Sequence, residues 1–170
     1  MAHTVRSAHP ADAQNLAALA IQVWLHTYAL EGIRGALSDY VFQKLTPERF
    51  AELIADPKTH ILVCEEESCL FGYVRMSAGT PCPSDQAITT EIETLYVQEH
   101  HEGKGVGRTL LEAAFAMARK SGDRKIWLSV YEGNTGARAF YDRLGFEVVG
   151  DTWWRWEDER HRNLVPTLAV

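Results

Sequence analysis

The stretch HHEGKGVGRTLLEAA, from His100 to Ala114, joins a glycine-rich turn to an apolar helical pattern. A strand pattern that ends in Leu95, Tyr96 and Val97 comes shortly before it. Within the quoted stretch, three glycines alternate with other residues, and two cationic side chains lie among and after them: Gly103, Lys104, Gly105, Val106, Gly107 and Arg108. Successive glycine amides at a helix N-terminus form a positive nest that suits a pyrophosphate. The stretch therefore predicts a strand, an anion-binding loop and a helix.

Two familiar phosphate motifs do not fit this loop. A P-loop requires G-x-x-x-x-G-K-[ST], whereas Lys104 directly follows the first glycine. A dinucleotide fingerprint G-x-G-x-x-G fails as well, because the third glycine would fall on Arg108 or Leu110. On the glycines alone, a tight strand-to-helix connection without a ligand remains an alternative.

A second stretch, VYEGNTGARAFYDRLGF from Val130 to Phe146, carries an independent pattern. Asn134 suits the N-cap of a helix, and Gly145 suits the position just after its end. The residues between them include an apolar stripe of Ala137, Phe140 and Leu144. Each feature by itself also has an ordinary structural interpretation, including a merely packed Tyr141.

The composition indicates a soluble globular chain. It has 170 residues, a formal net charge of −6, 46% hydrophobic and 24% charged residues, and this length suits one domain. The acidic balance argues against a nucleic-acid binder, and no apolar run is long enough to span a membrane. The start, MAHTVRSAHPADAQ, lacks the apolar region of a signal peptide, so we expect a cytoplasmic protein. Cys64, Cys69 and Cys82 have no disulfide or zinc spacing and are expected to be free thiols.

The periodicity along the chain predicts an initial strand, several helices, and then the order β-β-β-α-β-α-β-β. Ser38 and Thr46-Pro47 are expected to open the second and third helices. The expected strands are 4–8, 60–65, 70–77, 88–97, 125–131, 146–150 and 153–157. The tail 161–170 offers few cues. We therefore expect an α/β (α+β) fold, a mixed central sheet of about seven strands flanked by helices, in a single domain 1–170.

Together the two stretches resemble the GCN5-related N-acetyltransferase (GNAT) family. The family's acetyl-CoA loop reads [QR]-x-x-G-x-[GA] after a strand ending in L-x-V, and here it corresponds to 102–107. The second stretch matches V-x-x-x-N-x-x-A-x-x-x-Y-x-x-x-G-F. One departure is Glu102, a carboxylate in place of Gln or Arg, which weakens one side-chain contact to phosphate.

The resemblance implies a GNAT-type domain that uses acetyl-CoA as co-substrate, with no metal. The pantetheine arm is then expected between two splayed parallel strands, 88–97 and 125–131. The implied cofactor-binding residues are Leu95, Tyr96, Val97, Glu102, Gly103, Lys104, Gly105, Val106, Gly107, Arg108, Asn134, Ala137, Phe140 and Tyr141.

The implied chemistry is direct attack of a primary amine on the thioester, with no acyl-enzyme. Because an alkyl ammonium has a pKa of about 10, its proton must be removed. Glu91 and Glu93 lie on one face of a strand and are the candidate bases, Glu91 being at the position that the family often uses. One or both are alternatively solvated strand residues, with an ordered water as base. Tyr141 resembles the family's general acid for the departing thiolate.

The acceptor site is expected near Trp24 and Tyr28, in a run VWLHTY that resembles bacterial polyamine N-acetyltransferases. This favours a small-molecule acceptor, polyamine-like or another cationic amine. Trp153, Trp154 and Trp156 alternate across a strand, and either line a cationic site or pack in the core or in a homodimer.

Other classes of function stay open on the sequence. They are a non-catalytic acyl-CoA-binding sensor, an acetyltransferase that acts on a protein amine, and a nucleotide-phosphate binder that uses the same glycine nest. An enzyme is favoured over a non-catalytic sensor, because the chain has candidate bases, Glu91 and Glu93, and a candidate acid, Tyr141.

Overall fold

A computed structural model describes residues 3–170. The first two residues of the stretch without signal-peptide character, Met1 and Ala2, lie outside the described residues. The strands are β1 (Thr4–Ser7), β2 (Thr59–Glu66), β3 (Cys69–Ala78), β4 (Thr90–Val97), β5 (Lys125–Leu128), β6 (Val130–Tyr131), β7 (Glu147–Trp156) and β8 (Glu159–Ala169). The helices are α1 (Ala13–Tyr28), α2 (Gly35–Lys44), α3 (Pro47–Ala55), α4 (Val106–Ser121) and α5 (Thr135–Arg143).

The described residues form one mixed sheet of eight strands, in the order β1-β2-β3-β4-β5-β8-β6, with β7 paired to β8. The pairing of β4 with β5 is parallel, whereas β1 with β2 and β8 with each of its three partners are antiparallel. The predicted α/β fold with a mixed central sheet is confirmed. The chain divides into two compact units.

The first unit comprises the chain up to Arg75 together with Thr94–Ala114. Its core joins the apolar faces of α1 and α3 to β2 and β3, because each of these elements carries hydrophobic residues on one side. The buried members are Ala13, Leu16, Ala17, Leu19, Ala20, Phe50, Ile61, Val63 and Tyr73.

A cluster of charges fastens β1 to β2 and to the start of α1. The guanidinium of Arg6 donates to the carboxylates of Asp12 and Glu65, at 2.7 Å each, and Asp12 also accepts the amide of His9 at 2.7 Å. These hydrogen bonds hold the pKa of both carboxyl groups below their usual values. Because Asp12 is buried, its charge depends on Arg6 for compensation.

The second unit comprises Met76–Glu93 and Phe115–Val170. Its small core contains Cys82, Ile88, Trp127 and Val165. The indole of Trp127 donates to the carbonyl of Thr80 at 2.9 Å, which satisfies the buried N–H. Strands β7 and β8 form a long antiparallel ribbon in this unit.

Three strand predictions in the second unit were wrong. The segment 125–131 is two strands, β5 and β6, interrupted at Ser129. The segments 146–150 and 153–157 belong to the single strand β7, whose register shifts at a bulge between Val148 and Gly150. The tail, which offered few sequence cues, forms most of β8. A bulge breaks the alternation of apolar residues along a strand, and pairing with distant strands compensates for weak local preference.

Helix starts agree with expectation in one case and differ in the other. Thr46 caps α3, its hydroxyl accepting the amide of Arg49 at 3.2 Å, and Pro47 is the first helical residue. Ser38, in contrast, lies inside α2, which begins at Gly35. Its hydroxyl donates back to the carbonyl of Arg34 at 3.1 Å, so it does not cap this helix.

Candidate functional site

The glycine loop belongs to the first unit and leads into α4. Strand β4 ends at Val97 and is followed by a 3-10 turn at Glu99–His101. Gly103 and Gly105 then adopt φ of 70° and 87°. This is the left-handed region that glycine enters without steric cost. A Cβ at either glycine would meet no atom within 4 Å, so the space beside this backbone is open.

The helix that follows the loop is anchored by its first residue. Val106 is 1% exposed, and the amide of Thr109 donates to the carbonyl of Gly105 at 2.9 Å. The loop therefore ends at a fixed helix N-terminus, where unsatisfied amides and the helix dipole favour an anion. This is the geometry that the sequence predicted for 102–107.

The charged side chains of the loop differ in their surroundings. Lys104 and Glu102 are exposed, and the backbone of Glu102 is extended, at φ −64° and ψ 150°. Arg108 bonds Glu112 at 2.9 Å, one turn further along α4, so part of its guanidinium is occupied. Lys104 is consequently the better placed of the two cations to meet an anion.

The ladder between β4 and β5 consists of two pairs, Glu91 with Trp127 and Ile92 with Leu128. Strand β4 itself runs on to Val97. Among residues 3–170, the backbone of β4 beyond Ile92 is not part of that ladder. Such a strand edge is where an added extended chain can pair.

The two candidate bases differ in exposure. Glu91 is half-buried, whereas Glu93 is exposed, and Ile92 between them is buried, as expected for neighbours on opposite faces. The buried Ser77 on β3 donates its hydroxyl to the carboxylate of Glu93. Sequence reasoning missed Ser77, because only strand pairing brings it beside Glu93.

Helix α5 carries the second predicted group of site residues. Asn134 is the N-cap, and its side-chain oxygen accepts the amide of Ala137 at 3.1 Å. The oxygen is thereby occupied, which leaves the amide NH₂ as the group that can contact a ligand. Phe140 is half-buried and lies 5.4 Å from the ring of Tyr141.

Tyr141 is half-buried, and its ring packs edge-on against Phe146 at 5.5 Å. Burial raises the pKa of its phenol to about 12. Within residues 3–170 its hydroxyl makes no hydrogen bond. A phenol in this state is protonated at neutral pH and available as a proton donor.

A cavity of about 640 Å³ lies in the second unit beside α5. Its lining includes Val130, Arg138, Tyr141, Asp142 and Leu164. Tyr141 therefore borders this cavity in addition to packing against Phe146. A tyrosine that served only to pack the core would be enclosed on all sides.

The residues expected near the acceptor lie in the first unit. Trp24 is 3% exposed and stacks on Tyr40 at 4.5 Å, with an interplanar angle of 12°. Tyr28 lies 4.9 Å from Trp24 and is 47% exposed. Trp24 is therefore a core residue that supports this aromatic surface, and Tyr28 is a part of it that meets solvent.

Further residues join this surface that the sequence did not single out. The rings of Tyr73 and Tyr96 are 5.6 Å apart and nearly perpendicular, and Tyr40 and Arg75 act electrostatically on both. No local pattern announces such a group, because its members come from α2, β3 and β4. Tyr96, expected among the cofactor-binding residues, directs its ring to this cluster.

The tryptophans of the ribbon lie as the alternation predicted. Trp154 and Trp156 are neighbours at 5.4 Å, whereas Trp153 packs beneath the guanidinium of Arg160 at 4.7 Å. Trp153 is 53% and Trp154 40% exposed, so neither is a core residue of the second unit.

Comparison with known proteins gives this geometry a family. Residues 24–146 match the model of the acetyltransferase (GNAT) family, so the chain belongs to that family. An uncharacterized N-acetyltransferase of Mycobacterium bovis is 28% identical over 144 residues, covering 85% of this chain and 88% of the relative. The L-methionine sulfoximine/L-methionine sulfone acetyltransferase of Salmonella typhimurium is 29% identical over 161 residues, covering 91% and 90%.

Among solved structures, the fold is similar to the PaiA N-acetyltransferase of Thermoplasma acidophilum in complex with coenzyme A. That likeness has a TM-score of 0.81 at 21% identity and covers 100% of both chains. The resemblance inferred from the two motifs is thereby confirmed: the chain is an acetyltransferase of the GNAT family, whose co-substrate is acetyl-CoA.

Two kinds of feature are absent from the described residues. Between His3 and Val170 no helix combines the length and hydrophobicity that crossing a membrane requires. In the same range, histidine, cysteine and acidic side chains form no group of three or more that could hold a metal ion. The three cysteines are free, with Cys64 and Cys82 buried and Cys69 exposed.

Proposed function

We propose that this protein transfers the acetyl group of acetyl-CoA directly to a primary amine of a small molecule. The observation that carries the proposal is the glycine loop of 102–107, where two left-handed glycines border open space at the start of α4. Membership of the family supports acetyl-CoA as the donor.

The loop supplies the donor site in this proposal. The amides around Gly103 and Gly105 hold the pyrophosphate, and Lys104 adds a positive charge. Each charge-assisted hydrogen bond contributes roughly 1.5–3 kcal/mol. The edge of β4 beyond Ile92 pairs with the pantetheine arm in this proposal.

Proton transfer completes the mechanism. The bound ammonium loses a proton to Glu91 or Glu93, directly or through water, and the neutral amine attacks the thioester carbonyl. The tetrahedral intermediate then expels the CoA thiolate, Tyr141 donates the proton that the thiolate takes up, and the proton released by the attacking nitrogen restores the neutral phenol. The hydrogen bond from Ser77 fixes the orientation of the Glu93 carboxylate.

The name of one relative supports a small molecule as the acceptor. A relative that matches 91% of this chain is named for amino-acid derivatives, which favours a small molecule over a protein amine. The primary amino group of such a molecule is protonated at neutral pH. The narrower prediction of a polyamine-like acceptor stays a prediction.

Two measurements test the function. Transfer from acetyl-CoA to a panel of amino acids, polyamines, aminoglycosides and peptide amino termini identifies the acceptor class. CoA binding by calorimetry, with ATP and NAD for comparison, tests the loop. Tight CoA binding without any transfer would favour a sensor, and preference for ATP or NAD would refute the acetyl-CoA site.

A matched pair of variants separates the loop's role from its folding. Gly105→Val introduces a side chain at φ 87°, and Gly122→Val does the same at φ 92° just after the other end of α4. Both incur a strain of about 1–3 kcal/mol. Only Gly105→Val is expected to weaken CoA binding, and equal CoA affinity in both folded variants would remove the pyrophosphate from this loop.

Three further proposals concern the whole molecule. We propose that residues 1–170 act as a single acetyltransferase domain, that the protein is cytoplasmic, and that it forms a homodimer. Exposed apolar side chains on β7, namely Val148, Val149, Trp153 and Trp154, support the dimer. Light scattering of the purified chain, and of a Trp153→Ser variant, tests it.

A further inference from the structure

The first unit gathers four phenols and a guanidinium that the proposed acetyl transfer leaves without a role. This tyrosine cluster consists of Tyr28 on α1, Tyr40 on α2, Tyr73 and Arg75 on β3, and Tyr96 on β4. Tyr73 and Tyr96 are in ring contact at 5.6 Å, and Tyr28 and Tyr40 lie near enough to Tyr96 to raise its pKa further. Four separate elements therefore direct polar aromatic ends toward one place.

Three of these phenols have hydroxyls without a partner in the protein. Within residues 3–170, no hydrogen bond involves the hydroxyl of Tyr28, Tyr73 or Tyr96. Tyr73 is only 2% exposed, yet its hydroxyl is not among the fully enclosed unsatisfied atoms. A nearly buried hydroxyl that stays reachable and unpartnered is unusual in a folded protein. It is satisfied when a ligand presents a hydrogen-bond acceptor.

The electrostatics of the cluster select the sign of that ligand. Burial raises the pKa of all four phenols, so they are protonated donors at neutral pH. The guanidinium of Arg75 acts on three of them in the opposite direction, lowering the pKa of Tyr40, Tyr73 and Tyr96. A carboxylate bound here meets phenol donors and the guanidinium of Arg75.

We infer that the tyrosine cluster binds a carboxylate of the acceptor, so that the acceptor is an α-amino acid or another amine that carries a carboxylate. The inference rests on the proposed acetyl transfer and specifies its substrate. A guanidinium and phenol hydroxyls are common ligands of a carboxylate, because each presents N–H or O–H donors to its oxygens. Trp24, stacked on Tyr40, holds the aromatic wall in place.

The test compares acceptors that differ only in the carboxylate. L-leucine is paired with isopentylamine, L-phenylalanine with phenethylamine, L-methionine with 3-(methylthio)propylamine and L-lysine with cadaverine. In each pair that reacts, we expect the amino acid to exceed its decarboxylated partner in kcat/KM by about 10- to 100-fold, as loss of a charge-assisted interaction predicts. Equal or faster reaction of the decarboxylated amines would overturn the inference.

Variants locate the preference in the cluster. Arg75→Gln is expected to remove the difference within each pair, and Tyr73→Phe, which deletes only the unpartnered hydroxyl, to reduce it. Arg49→Gln is the matched control, because Arg49 is an exposed arginine of the same unit that pairs with Glu52 at 2.9 Å. A preference that survives both Arg75→Gln and Tyr73→Phe would place carboxylate recognition elsewhere and refute the assignment.

A binding measurement keeps this inference separate from the proposed function. The same pairs are added to the full chain with CoA, and the melting temperature is followed. If no amine of the wider acceptor panel is acetylated, the proposed function fails, while stabilisation by the amino acids alone would still support the carboxylate site. Absence of any stabilisation by the amino acids, or stabilisation by the amines alone, would overturn it.

Discussion

Replacing Tyr141 with Phe removes one hydroxyl and keeps the aromatic ring. The hydroxyl makes no hydrogen bond among the described residues, and the contacts of the ring with Phe140 and Phe146, at 5.4 and 5.5 Å, are retained. The melting temperature and CoA affinity are therefore expected to change little. If Tyr141 protonates the departing thiolate, turnover falls by roughly 10²- to 10⁴-fold.

The pKa of Tyr141 adds a prediction about pH. Because burial raises this pKa to about 12, the folded wild-type protein keeps the phenol protonated through the neutral and mildly alkaline range. The rate of the wild type should not fall through loss of this proton below about pH 11. An alkaline limb near pH 9 or 10 that disappears in Tyr141→Phe would contradict the assigned pKa.

The assay must measure chemistry rather than product release. Single-turnover acetyl transfer with enzyme in excess of acetyl-CoA achieves this. Tyr131→Phe is the control, because Tyr131 is 45% exposed on β6 and has no part in the proposed mechanism. Full single-turnover activity of Tyr141→Phe at wild-type stability would refute the role of general acid and leave a packing tyrosine.

Three other perturbations have defined outcomes. Replacing Glu91 and Glu93 singly by Gln should lower turnover more at neutral than at alkaline pH, where free amine is commoner; full neutral activity of both variants would place the base elsewhere. Glu102→Gln should change CoA affinity only modestly in calorimetry, because the side chain is exposed, and a large gain would show that the carboxylate repels the phosphates. Arg6→Gln should reduce the free energy of unfolding by about 2–3 kcal/mol in urea titrations at neutral pH, because it leaves the buried carboxylate of Asp12 without its cationic partner. The folded-state pKa of Asp12 lies below its ordinary 3.8, so this contribution is present above about pH 4 and is lost as the pH falls; a difference that persists undiminished in acid would contradict it.

The sequence by itself determined the parts of this protein whose physics is local. Gly103 and Gly105 were expected in a tight turn before a helix, and they adopt left-handed backbone there. Thr46-Pro47 and Asn134 were expected at helix starts, and both caps are present. A cap or a left-handed turn depends on a few consecutive residues, so the residue types alone predict it.

Strand boundaries were less accessible, because a strand obtains its hydrogen bonds from distant residues. The bulge after Val148 shifts the alternation of β7 and made one strand resemble two. The tail has little pattern of its own and becomes β8 by pairing with β5, β6 and β7. Neither outcome is encoded within a short window of sequence.

The tertiary structure alone decided which side chains act together. Ser77 reaches Glu93 because β3 pairs with β4. Tyr73 and Tyr96 meet from strands separated along the chain by the loop that follows β3. Motif spacing suggested the proposed donor loop and Tyr141 as the proposed acid, whereas the proposed acceptor surface depends on contacts between distant segments. Such contacts follow from packing of the core, which a single sequence does not reveal.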